Sequence, residues 1–174
     1  MAAGKSVSGS LLADHLGFMF YDLDEEVKKD QNTTLEEFVS TGTLLERDAI
    51  RCRILKSLVC KPGNKVIAVA PLSYIKNIRY LFSSPDVISI ELIDSAENIF
   101  DRLVFSDEND VVYKDDDYKY RHKDYFLEEI QADLDWYGSV YSDIKNRFDI
   151  SGMTPEEAVA EMIGRFHLCE YMEV

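Results

Sequence analysis

Gly4-Lys5-Ser6-Val7-Ser8-Gly9, followed by Phe18-Met19-Phe20-Tyr21-Asp22-Leu23-Asp24, is the stretch on which the reading of this chain turns. Glycine, lysine and a hydroxyl residue in that order close the phosphate-binding pattern G-x-x-x-x-G-K-S/T. Such a loop aims consecutive backbone N–H groups and a helix N-terminus at an anion. Here the ending of the pattern is present in Met1-Ala2-Ala3-Gly4-Lys5-Ser6 without its first glycine. The pattern predicts that this glycine and the strand leading into it lie ahead of Met1. The 174 residues are then expected to lack a central strand and part of the phosphate cradle.

Outward from that fragment, Gly4 opens and Gly17 stops a helix with Leu11, Leu12 and Leu16 on its apolar side. Phe18 to Tyr21 is a short apolar run, expected as a buried parallel strand delivering Asp22 and Asp24 at its C-terminal end. Side chains alternate along a strand, so the two carboxylates are predicted on one side of an extended chain. The competing reading makes Asp24-Glu25-Glu26 the N-terminal acids of a helix. Thr33 or Thr34 caps a helix start, and Thr43 to about Val59 is a longer helical pattern. Lys61-Pro62-Gly63-Asn64 is a turn. Residues 65–70 and 87–92 read as strands with a helix from about Ser73 between them, and Ser95 opens a helix through Leu103. Residues 104–124 are polar and acidic, a candidate mobile loop or lid. Tyr125 to about Asn146 is helical, residues 147–150 a final strand, and Thr154-Pro155 starts a last helix. Strands alternating with helices predict one α/β domain over residues 1–174 with a parallel sheet. Ligands of such sheets bind beyond the carboxyl ends of the strands.

Composition limits the partners. A net charge of −14, with no Lys/Arg run, disfavours nucleic acid and anionic membranes. Three scattered cysteines point to reduced thiols, and no long apolar span or signal pattern appears, so a cytoplasmic protein is expected, monomeric or weakly oligomeric. Among site candidates, Lys5 supplies charge for phosphate and Ser6 a hydroxyl for Mg²⁺. Asp22 could hold Mg²⁺ through water or sit near an acceptor hydroxyl. Asp24 could accept hydrogen bonds from substrate hydroxyls. Arg47 offers either a fork for an anion or an exposed pair with Glu46 or Asp48. Arg102 is a nucleotide contact or a surface arginine.

In this order the residues resemble the shikimate kinase family. Ala3-Gly4-Lys5-Ser6, Gly9, Leu12-Ala13, Leu16-Gly17 and Phe20-x-Asp22-x-Asp24 are similar to its G-A-G-K-S-T-x-G-x-x-L-A-x-x-L-G and F-x-D-x-D segments. Gly42 with Arg47 resembles G-E-x-x-F-R-x-x-E. The resemblance implies a three-layer α/β/α P-loop kinase fold and transfer of the ATP γ-phosphoryl group to a hydroxyl of shikimate. It implies that Ala3, Gly4, Lys5, Ser6, Val7 and Arg102 contact nucleotide, with Lys5 and Asp22 catalytic. Ser6 and Asp22 would serve Mg²⁺, and Asp24 and Arg47 shikimate. Departures are also present. The family's Gly-Gly-Gly after the middle strand is Ala70-Pro71-Leu72, which removes an N–H and adds side chains. Tyr137 stands where a substrate-binding arginine is expected, and the lid motif R-P-L-L is absent. The alternatives are a kinase for another hydroxylated metabolite and a non-catalytic nucleotide-binding or regulatory domain.

Overall fold

The structure is a computed structural model and describes residues 4–171. Gly4, at φ 71°, leads into α1 (Lys5–Leu16), and Gly17, at φ 68°, ends it. Both positions are left-handed, where a side chain is strained. β1 (Met19–Asp22) follows, and Asp22 is at once the last strand residue and the cap of α2 (Leu23–Gln31), accepting the Asp24 N–H. The expectation of a strand carrying Asp22 and Asp24 on one side is therefore corrected. The Asp22 carboxylate turns the chain into a helix, and Asp24 sits in that helix's first turn.

Thr34 caps α3 (Leu35–Ser40), and a capping box between Thr43 and Glu46 starts α4 (Leu44–Val59). β2 (Lys65–Ala68) pairs in parallel with β1, setting Asp22 opposite Ala68. The helix expected from Ser73 is not formed. Leu72, Ile75, Ile78 and Leu81 are all buried at a spacing of three, which suits tight turns rather than an α-helix, and only Arg79–Ser83 forms a 3₁₀ turn. β3 (Ile90–Ile93) begins three residues later than expected, and α5 (Ala96–Asp101) follows. Residues 104–124 are ordered as a hairpin of β4 (Phe105–Ser106) and β5 (Val112–Tyr113) followed by α6 (Asp116–Arg121). α7 (Lys123–Val140), β6 (Asn146–Asp149) and α8 (Pro155–Arg165) complete the chain, with a last 3₁₀ turn at Leu168–Tyr171. β6 pairs in parallel with β3.

Alternation along the strands divides two cores. Tyr21, Ile67 and Val69 face the cluster of Leu23, Val27, Phe38, Leu55, Leu58 and Leu72. Val66, Ile90, Leu92 and Phe148 face Leu12, Leu16, Val159 and Met162 from α1 and α8. Helices thus cover both faces of parallel strands, the three-layer arrangement. A third cluster, Ala96, Ile99, Phe100 and Ile130, joins α5 to α7.

Gly9 brings α1 onto the sheet. A Cβ there would lie 2.9 Å from the Phe20 ring and 3.6 Å from the Ala68 methyl. Gly9→Val is expected to lower stability by about 1–3 kcal/mol through overpacking, read as a reduced denaturant midpoint with an unchanged slope.

Candidate functional site

Asp22, at the C-terminal end of β1, organises the first half of the site. Its Oδ2 accepts the Ser6 hydroxyl at 2.5 Å and its Oδ1 accepts the Asp24 N–H at 2.9 Å. The first turn of α1 and the first turn of α2 therefore meet at one carboxylate. Burial pulls the Lys5 ammonium below the ordinary lysine value, and the carboxylates of Asp24 and Asp22 oppose that shift. Burial raises the Asp24 carboxyl, with Asp22 adding to the rise and Arg51 and Lys5 opposing it. A lysine and two acids placed so that each perturbs another mark a centre for charged chemistry. Val7, by contrast, is 54% exposed and offers only backbone to this site, and Ala3 lies outside the described residues.

The cation beside Asp24 is Arg51, which sequence reasoning did not single out. Its guanidinium is 3.7 Å from Asp24 Oδ1 and 3.7 Å from Asp48 Oδ1, and it lies over the Phe38 ring at 5.1 Å. Arg51 is 8% exposed and Asp48 fully buried. Asp24 Oδ1, Asp48 Oδ1 and Arg51 Nε are enclosed and make no hydrogen bond within the protein. Three enclosed polar atoms without a hydrogen-bond partner leave unmet capacity beside the Arg51 ion pairs, the kind of capacity that a ligand carrying hydroxyls and an anionic group could meet. One signal was available in the sequence: Arg51 lies one helical turn beyond Arg47 on α4. Arg47 itself is turned elsewhere, donating to the Thr41 and Gly42 carbonyls at 3.0 and 2.9 Å. The structure therefore brings together Lys5, Ser6, Asp22, Asp24 and Arg51, and leaves Arg47 on the adjoining turn.

The loop after β2 forms the next wall. Asp48 Oδ2 accepts the N–H groups of Ser73 and Tyr74 at 2.8 and 2.9 Å. The Tyr141 hydroxyl accepts the Leu72 N–H at 2.7 Å, and Trp136 Nε1 donates to Ser73 Oγ at 3.2 Å. Leu72 is fully buried in the core, so its side chain points away from the site rather than filling it, while Pro71 and Tyr137 line the central cavity. Burial raises the Tyr141 hydroxyl far above its ordinary value, so it stays protonated at any working pH.

Arg102 lies at the end of α5 and bonds the buried Asp94 carboxylate. Burial pushes the Asp94 carboxyl up, but bonds from Arg102, Asn98, Ser95 N–H and Ser151 outweigh it and leave a net lowering. Asp94 also accepts the Ser151 hydroxyl at 3.1 Å, so this carboxylate ties the end of β3 both to Arg102 and to the residues just after β6. The 104–124 segment reaches across to α3. Asp110 accepts the Leu35 and Glu36 N–H groups at 2.8 and 3.3 Å and lies 3.6 Å from Lys28. The Leu35 bond is the main reason its carboxyl is held below the ordinary range. A lowered acid stabilises the fold above the unfolded-state value and loses that contribution as pH falls through the folded one. Asp110→Ala is expected to speed exchange of the Leu35 and Glu36 amides about tenfold at neutral pH. In the wild type the same amides should lose protection on acidification below the carboxylate range, both measured by NMR exchange.

A phosphate-loop ending at a helix start, with acids at the carboxyl end of the neighbouring parallel strand, defines a P-loop phosphotransferase of the α/β class. The model of the family described as shikimate kinase matches residues 1–166. The shikimate kinase of Persephonella marina is 27% identical over 171 residues, covering 95% of this chain and 93% of that one. That of Bartonella quintana is 37% identical over 84 residues, 48% of this chain and 40% of that one. The crystal structure of shikimate kinase from Bacteroides thetaiotaomicron superposes with a TM-score of 0.76 at 19% identity, covering 96% of this chain and 94% of that one. The Aquifex aeolicus structure gives 0.70 at 24% identity, covering 96% and 92%. The chain belongs to the shikimate kinase family, and with it to the ATP-dependent small-molecule kinases.

Proposed function

We propose that this protein transfers the γ-phosphoryl group of ATP to a hydroxyl of shikimate, within aromatic amino-acid biosynthesis in the cytoplasm. The observation that carries the reading is the convergence of Lys5, Ser6, Asp22, Asp24 and Arg51 at the carboxyl end of β1. Gly4 through Val7 present backbone to the nucleotide phosphates, and Lys5 neutralises phosphoryl charge as it redistributes. Arg102, beside the 151–153 turn, borders the nucleotide. The Ser6 hydroxyl and Asp22 Oδ2 are hard oxygen donors in contact, a set that fits Mg²⁺, which takes few protein ligands and prefers phosphate oxygens. Bound there, Mg²⁺ supplies charge neutralisation between the phosphates.

Asp24 orients the accepting hydroxyl through a hydrogen bond, and its carboxylate, made more basic by burial, comes closer to sharing that proton. Arg51 faces the acceptor carboxylate, with Arg47 at the edge of the pocket. Residues 104–124 act as the lid, latched on α3 through Asp110. The protein works as a monomer or weak oligomer, without nucleic acid or a membrane. Among the described residues no helix is long and apolar enough to cross one.

A second acceptor is tested alongside, because Ala70-Pro71-Leu72 replaces the run of glycines and Tyr137 the arginine that the family resemblance led one to expect. ADP release is measured with Mg²⁺ and ATP, adding shikimate or other ring acids that carry vicinal hydroxyls. Release that depends on shikimate, with the largest kcat/KM in the panel, is expected. Faster turnover of another acid assigns that acid instead, and ATP hydrolysis indifferent to every acceptor contradicts the kinase reading.

A further inference from the structure

The loop after β2 is held through its peptide groups. Pro71 carries no N–H, the Leu72 N–H goes to the Tyr141 hydroxyl, and the Ser73 and Tyr74 N–H groups both go to Asp48. Residues 71–74 therefore keep no peptide donor for a ligand. Any donor that this wall offers to an acceptor has to be a side chain. Ser73 is half-buried and stands beside Asp48, whose other oxygen is 3.7 Å from the Arg51 guanidinium. Its Oγ accepts the Trp136 Nε1–H at 3.2 Å. An indole N–H only donates, so Ser73 is the acceptor in this pair and its own hydroxyl hydrogen turns elsewhere. Among the described residues that hydrogen meets no acceptor.

Trp136 is the single tryptophan of the chain and is 57% exposed on α7. Its neighbour Tyr137 is stacked on Tyr141, with 6.3 Å between ring centroids, and lines the central cavity. Trp136 is thus the ring of α7 that meets the Ser73 side chain.

The geometry points to Ser73 as a further acceptor-recognising residue, with Trp136 as its positioning residue. The Ser73 hydroxyl donates to the acceptor carboxylate that Arg51 faces, and the Trp136 ring covers the adjoining face of the acceptor. This inference rests on the acceptor site placed at Asp24 and Arg51. Asp48 sets both donors, fixing the Ser73 backbone through Oδ2 and facing Arg51 through Oδ1. A hydroxyl and a guanidinium anchored on one buried carboxylate keep a constant spacing, which suits recognition of a single anion at two points. An exposed indole held by its N–H presents a rigid apolar face that gains from being covered by a ring.

Shikimate KM, kcat and ATP KM are measured with Mg²⁺ for Ser73→Ala, Ser73→Thr, Trp136→Phe and the combined Ser73→Ala/Trp136→Phe variant. Ser73→Ala is expected to raise the shikimate KM about tenfold while the ATP KM moves by less than about twofold. Ser73→Thr keeps a hydroxyl and should recover most of that loss. Trp136→Phe keeps a ring without the N–H and should raise the shikimate KM about threefold or more. The combined variant should be less impaired than the product of the two single effects, because Trp136 acts in part through Ser73. In the wild type, shikimate without ATP should shift the emission of the single tryptophan saturably to shorter wavelength as the ring loses water. The inference is overturned if Ser73→Ala stays within about twofold of the wild-type shikimate KM, or if the ATP KM rises equally. It is overturned also if the two substitutions multiply in full, or if shikimate at concentrations that saturate turnover leaves the emission unchanged. Arg51→Lys in the same assay separates this failure from that of the acceptor site. A raised shikimate KM there beside an unmoved Ser73→Ala sinks the Ser73 role alone, and two unmoved variants sink the site as well. Shikimate that is neither turned over nor sensed by the tryptophan sinks both.

Discussion

Lys5→Ala is expected to lower kcat/KM for phosphoryl transfer by about 1,000-fold while changing Tm by no more than about 3 °C. Lys5 stands at the start of α1, where the helix N-terminus and the ammonium act on the same anion. Phosphoryl transfer is catalysed largely by positioning and charge neutralisation, so loss of one cation at the transferred group falls on kcat as well as on binding. Within the protein the same ammonium is drawn down by burial and held up by Asp24 and Asp22. Removing it takes away one of the cations that hold the Asp24 carboxyl down, with Arg51 still the strongest of them, and that carboxyl should rise further. The fold keeps the Ser6–Asp22 and Asp24–Asp22 bonds, which do not involve Lys5. Steady-state ADP release and thermal unfolding on one preparation check the two halves. A parallel collapse of stability and activity would assign Lys5 a structural role instead.

Arg51→Met is expected to cost about 3 kcal/mol of stability and to abolish measurable acceptor binding. Arg51 lies between Asp24 and Asp48, and its removal leaves the fully buried Asp48 without this cation and deprives Asp24 of its strongest one. The effect has a defined pH signature. Asp24 already has a raised carboxyl, first through burial, and Arg51 is the largest influence lowering it. A raised acid disfavours the folded state once pH exceeds its unfolded value, and the penalty fades as pH falls and the group takes a proton. The deficit of Arg51→Met should therefore be largest at neutral pH and shrink through the acid range. Unfolding midpoints at several pH values measure it. A deficit independent of pH would place the loss in packing against Phe38 rather than in charge.

How much of this was legible in the sequence depends on the range of the interaction involved. The helix opened by Gly4 and stopped by Gly17 and the cap at Thr34 are set by neighbours within one turn, and both appear as expected. The strands at 19–22 and 65–68 and their parallel sense were legible from apolar runs alternating with helices, whereas their pairing with each other came only with the structure. Asp24 was placed on a strand because period-two alternation was carried past Asp22, whereas the Asp22 carboxylate caps a helix at that point. The missing helix after Ser73 has a longer-range cause. Asp48, Tyr141 and Trp136, from two helices distant in sequence, take the N–H groups and hydroxyl of residues 72–74. Arg47 was chosen over Arg51 by motif spacing. The structure encloses Arg51, and not Arg47, beside Asp24, and burial of one arginine among several on a helix is not written in spacing. The acidic 104–124 segment was read as loose from composition, but Phe105, Tyr113, Tyr118 and Phe126 pack their rings together and Asp110 latches it to α3.

The most direct test is the shikimate KM of Arg51→Lys beside that of Arg47→Lys, each measured at saturating ATP and Mg²⁺. Lysine keeps the charge and, in the buried position, the fold, but loses the fork that meets a carboxylate. An acceptor site built on Asp24 and Arg51 predicts a rise in KM of about tenfold or more for Arg51→Lys, with a smaller change for Arg47→Lys. The reverse order, with Arg51→Lys near the wild type and Arg47→Lys severely impaired, would contradict that assignment.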